Sequence, residues 1–237
     1  MNSMQNAMTR RSVVKSAAVI GAATAMGSLL PGTAFAAPKN DEEQPTKLPT
    51  SANGWSIETQ ANNVSTVWTR PVAGTGLKVD VRIGDVEALL LHVIRRFHYE
   101  VEQLSAVDLA GWRAIEGLRK DSPESNLASG TAVRVRPGAS AEGGLFDFQE
   151  LVLRDILADC EGVVRWGGDD KQVDESLFYI DGGPDDERIK NAAVKLRAWD
   201  ETPGAGAGVA VDVLAPTRRS RADRLAGTQR SGGVTAR

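Results

Sequence analysis

Only one cysteine, Cys160, occurs in the 237 residues, so no disulfide can form within the chain and its stability has to come from packing. Cys160 falls on the apolar pattern of a predicted helix, which makes it a buried, inert thiol rather than a nucleophile. Histidine is almost as scarce. His92 and His98 stand six positions apart in one apolar-periodic segment, and six steps of about 100° put them on different faces of a helix, which excludes the usual i, i+4 metal-binding pair. No glycine-rich loop follows a strand-like run, so the common phosphate cradles are missing. The formal charge is only −3 and the basic residues form no dense stripe, which gives nucleic acid no recommendation as a partner. The most apolar stretch, Ser16 to Leu30, is mild and rich in Ala and Gly, and it falls short of the roughly 20 strongly hydrophobic residues of a spanning helix.

What is present starts at the N-terminus. "TRRSVVK" (Thr9 to Lys15) sets an arginine pair before that mild stretch, and Pro31 and an Ala-x-Ala pattern ending at Ala36 follow it. This resembles a twin-arginine export signal covering residues 1–36. The resemblance implies cleavage after Ala36, the twin-arginine translocase as a transient partner, and an extracellular, cell-wall or periplasmic destination. Residues 37–53 are polar and read as a flexible leader, 54–200 as the folded domain, and 201–237 as a disordered basic tail carrying Arg218, Arg219, Arg221, Arg224, Arg230 and Arg237 against Asp223. Such a tail could touch anionic polymers or lipid headgroups, or could simply be solvated.

Inside the domain, Val86, Leu89, Leu90, Val93, Ile94, Phe97, Val101 and Leu104 recur at helical steps after Gly84, with Asp85 as the expected N-cap. Helices are also expected over about 146–160, with Phe148, Leu151, Val152, Ile156 and Cys160 inward, and over about 185–199, capped by Asp185 or Asp186. "LKVDVRI", "TAVRVRP" and "SLFYID" read as strands. Helices and strands interleave without a regular βαβ rhythm, so the fold class is α+β, a small antiparallel sheet packed with helices.

"SNLASGTAVRVRP" (Ser125 to Pro137), followed by "WGGDD" (Trp166 to Asp170) and "DESLFYI" (Asp174 to Ile180), resembles the Ser-x-His-x-x-Gly-x-Ala-x-Asp, Trp-Gly-Gly-Asp and Asp/Glu-x-x-His-Phe segments of the zinc D-alanyl-D-alanine carboxypeptidases and their relatives. The resemblance covers about Ser125 to Ile180 and implies the hedgehog/D,D-peptidase fold. In that family two histidines and an aspartate hold zinc, and a carboxylate acts as general base. The matching positions here are Leu127, Arg134 and Leu177, with Asp174 at the base position. All three ligands are replaced.

Zinc needs lone pairs from imidazole, thiolate or carboxylate, and leucine has none. A guanidinium is worse, because it would repel the dication by several kcal/mol at about 4 Å and an effective dielectric near 20. A degenerate member without metal or cofactor is therefore expected. If Arg134 reaches Asp174, it replaces the dication as counter-charge, or it and Ser125 hold a peptide carboxylate. Ser125 lies at a groove position of the family, or is a turn-forming hydroxyl before a strand, and no histidine nearby could activate it as a nucleophile. Ser125, Leu127, Arg134, Asp174 and Leu177 are thus the candidate groove. Three functions stay open: a non-catalytic module binding peptidoglycan peptides or another exported protein, a cell-wall peptidase with Ca²⁺ or Mg²⁺ on Asp169, Asp170, Asp174 and Asp181, and a structural protein whose groove is filled by Leu127 and Leu177.

Overall fold

Alternation along Lys78–Arg82 produces β2, whose Val79 and Val81 are buried. The computed structural model describes residues 49–232 and pairs β2 antiparallel with β1 (Val67–Pro71). β1 has no legible alternation, because only its Val67 is buried. The hairpin leads into α1 (Asp85–Arg96), with Val86, Leu89, Leu90, Val93 and Ile94 in the core. Its N-cap is Gly84 at φ 95°, not Asp85, which is the first helical residue and instead accepts from Arg197 at 2.7 Å. The chain then widens into a π-helical turn over Phe97–Val101, where the Glu102 N–H donates to the Phe97 carbonyl.

A four-stranded antiparallel sheet forms the second layer, in the order β3 (Leu109–Ala110), β4 (Ala132–Val135), β6 (Leu177–Ile180), β5 (Val164–Trp166). Residues directly opposite one another share a face. Val135 opposes Leu109, Val133 opposes Phe178, and Phe178 opposes Trp166, so this face is apolar and packs in the main core with α1, α2 (Asp147–Asp159) and α3 (Glu187–Glu201). Arg134 opposes Leu177, and Tyr179 opposes both Ala132 and Arg165, so the reverse face carries polar chemistry. The architecture is α+β.

α3 starts at the expected cap, with the Asp186 carboxylate accepting from the Arg188 N–H at 3.0 Å. Phe148, expected inward, is 58% exposed. α2 instead buries Val152, Leu153, Ile156, Leu157 and Cys160 toward the core, and also Arg154, Asp155 and Asp159 on its outer side. Their cover is α4 (Pro216–Gly232), formed where a disordered tail is expected. Its docked stripe is Arg218, Arg221, Ala222, Leu225, Ala226 and Gln229, which has helical spacing but arginines where an ordinary stripe has leucines. The leader boundary also moves: residues 49–53 belong to the fold, since Asn53 donates to Thr131 Oγ1 at 2.8 Å and to the Ile180 carbonyl at 3.0 Å. The segment expected to be an export signal, with Ala36, residues 37–48 and Arg237 of the expected tail, lies outside the described residues. Among those described, no helix is long and apolar enough to cross a membrane.

Cys160 is fully buried, and burial pushes its thiol up to about 12. An aromatic disulfide reagent at pH 8 is expected to leave the native protein unmodified and to titrate one thiol in denaturant. Rapid modification of the native state would contradict this packing.

Candidate functional site

The reverse face of the sheet is built by β4, β6 and the turns that flank them. Arg134 on β4 lies between three acceptors: its Nη1 donates to Asp174 Oδ2 at 2.6 Å and Ser176 Oγ at 2.6 Å, and its Nη2 donates to Glu124 Oε1 at 3.0 Å. Ser176 completes the ring by donating to Asp174 Oδ1 at 2.7 Å. The Asp174 carboxylate is thus occupied on both oxygens. Its backbone is fixed too, because its N–H donates to the Gly167 carbonyl at 3.0 Å while its own carbonyl accepts from Leu177 at 3.1 Å.

Close approach at this turn explains the paired glycines of "WGGDD". A Cβ on Gly167 would stand 2.5 Å from the Asp174 carbonyl oxygen. Gly167→Ala is expected to lose about 1–3 kcal/mol through overpacking, read as a lower denaturation midpoint. An unchanged midpoint would show that the turn has room.

The remaining candidates serve the interior. Leu127 and Leu177 join Ala132 and Tyr179 in a small apolar cluster, with Leu118 packed against it. Ser125 is wholly buried; its hydroxyl accepts from the Ala52 N–H at 2.9 Å and donates to the Ser122 carbonyl at 2.8 Å. It does not face the groove. Of the five candidates, Arg134, Asp174 and Leu177 line one cavity of about 560 Å³, together with Arg113, Glu124 and Gln172. Ser122, Pro123, Asp170 and Gln172 are shared with a second cavity of about 860 Å³.

That second cavity contains a constellation absent from the sequence expectations. The Tyr179 hydroxyl donates to Asp170 at 2.9 Å, and Arg165 Nε donates to the same carboxylate at 2.9 Å. Burial raises the Asp170 carboxyl above its ordinary range, and burial with the adjacent Asp170 charge raises the Tyr179 phenol. The register that sets Arg165 opposite Tyr179 makes this meeting, and no local pattern announces it.

No family model, curated protein or solved structure matches this chain. The chemistry of the site therefore rests on its own residues. Zinc does not fit the set that the resemblance marks out: Leu127 and Leu177 present hydrocarbon, and Arg134 presents a cation. Nor do the aspartates gather around an ion. Asp169 is held by Arg154 and Arg230, Asp170 by Arg165, and Asp174 by Arg134. Among the described residues no group of three or more His, Cys, Asp or Glu stands close enough to hold a metal.

Proposed function

We propose that this chain is an exported, non-hydrolytic relative of the zinc D,D-peptidases, with the hedgehog/D,D-peptidase fold, whose groove holds short peptides of the cell wall. The observation that carries the reading is the Arg134–Asp174 pair at 2.6 Å. In the zinc peptidases the base carboxylate works on a water acidified by the metal, and here the cation that the carboxylate at the base position faces is a guanidinium, which holds no water for attack. The groove can still bind. Its two joined cavities together suit a peptide of a few residues, and Arg113, Arg119 and Lys171 on their rims suit its carboxylates.

Metal analysis, a muropeptide digest and retention on purified peptidoglycan test the reading together. Expected are no stoichiometric zinc, no released D-alanine, and retention that weakens on the order of tenfold in the Arg119→Glu, Lys171→Glu double variant. Released D-alanine would overturn the non-hydrolytic part. Absence of retention would overturn the binding part.

A further inference from the structure

α4 is fastened by charge. Arg218 donates to Asp155 at 2.8 and 2.6 Å and to Asp159 at 3.0 Å, Arg221 bonds Asp159, and Arg230 donates to Asp169 at 3.0 Å and to Glu150 at 3.3 Å. Its buried side chains are small or polar: Ala222, Ala226 and Gln229, the last donating to the Val164 carbonyl at 2.9 Å on the sheet edge. Between α2 and α4 remains a cavity of about 350 Å³ rather than close packing.

Each buried carboxylate that α4 grips has a second arginine on the body of the protein. Asp155 and Asp159 both bond Arg96, and Asp169 bonds Arg154. Lifting α4 away therefore leaves no buried carboxylate without an arginine partner, since Arg96 still holds Asp155 and Asp159 and Arg154 still holds Asp169, and it opens these carboxylates to water. The helix itself carries Arg218, Arg219, Arg221, Arg224 and Arg230 against Asp223. Arg219 and Arg224 are exposed and pair with no carboxylate among the described residues.

From these features we propose that α4 is a releasable strap and a store of arginines for a phosphate-bearing polyanion. Such a chain lands first on Arg219 and Arg224, then competes with Asp155, Asp159 and Asp169 for the remaining three. Guanidinium matches phosphate oxygens with two parallel hydrogen bonds, and a polymer of phosphates meets several arginines without further loss of translational freedom. Release uncovers the acidic side of α2 and the edge of β5. The proposal is independent of what the groove binds.

Hydrogen exchange of the full-length protein in low-salt buffer, read segment by segment, tests it with linear inorganic polyphosphate as the probe. In the free protein, amides of 216–232 are expected to be protected; saturating polyphosphate is expected to cut that protection by at least about tenfold while α1 stays unchanged. Orthophosphate at the same phosphate concentration is expected to do nothing. Polyglutamate is the second arm: release by polyphosphate alone supports phosphate recognition, and equal release by polyglutamate would overturn the phosphate part of the proposal. The Arg219→Gln, Arg224→Gln variant touches no carboxylate of the body and is expected to need about tenfold more polyphosphate at moderate salt. Absence of polyphosphate binding, binding that leaves α4 as protected as before, or an unchanged requirement in the variant would each overturn the proposal.

Discussion

Replacing Arg96 with methionine is expected to remove about 3–5 kcal/mol of folding free energy, the largest single loss foreseen for this chain. The Arg96 side chain is 3% exposed and donates to Asp159 at 2.7 Å, to Asp155 at 3.0 Å and to Glu100 at 2.5 and 2.7 Å. Hydrogen bonding to Glu100 and the charges of Glu100, Asp159 and Asp155 outweigh desolvation and hold the guanidinium more firmly protonated than usual. Methionine fills the volume but leaves two buried aspartates to the more exposed Arg218 and Arg221, and Glu100 without its arginine. The contrast is Arg218→Gln. That change leaves Arg96 with both aspartates, so it is expected to cost at most about 1 kcal/mol. Equal midpoints for the two variants in urea would show that the buried arginine is not the centre of this network.

The same network explains what could be read from the residues alone. α1 is legible because its neighbours are apolar: Leu89, Leu90, Val93 and Ile94 are all wholly buried and spaced for one face. α4 obeys the same geometry with Arg218 and Arg221 in the places of leucines, and an apolar pattern cannot find a helix held by carboxylates of another helix. α2 is legible on its inner side, where Val152, Ile156 and Cys160 are buried as expected, and misleading elsewhere for the related reason that its outer side is covered. Asp155 and Asp159 look like solvated residues until α4 is in place, and Phe148, apolar but at the uncovered first turn, looks like core.

The groove divides in the same way. The motif resemblance puts Arg134 and Leu177 in one groove, and the β4–β6 register sets them opposite one another. Leu127 and Leu177 could be read as fillers from residue type, and both are buried in one cluster. Ser125 is the turn hydroxyl of the two readings open to it, bonded to the Lys120 and Ser122 carbonyls, and its third partner, the Ala52 N–H, comes from inside the segment read as leader. Asp170 stands out in the sequence only as one of four acidic candidates for an ion, and its meeting with Arg165 and Tyr179 has no local signal because three elements make it: an edge strand of three residues, the turn after it, and the central strand.

Acidification from pH 7 to pH 4 is expected to remove about 3 kcal/mol of stability through His92 alone. The imidazole is 4% exposed, its Nε2 finds no partner among the described residues, and burial together with the Arg96 charge depresses it to about 4. Asp159 pulls the other way, and Lys195 and Arg95 add to the depression. An unfolded chain takes up a proton at its histidine near pH 6.5, and the folded chain refuses it until about pH 4. Between those values the unfolded state binds more protons, so stability falls as pH falls; above about 6.5 this contribution is fully present. Depressed carboxyls such as Asp159 lose their contribution lower, from below about pH 4, so the two effects separate on the pH axis. Urea midpoints of the native chain and of His92→Leu, measured from pH 7 to pH 4, decide the matter. The native curve should fall through this window and the variant's should stay nearly flat, and parallel curves would mean that some other group carries the acid sensitivity.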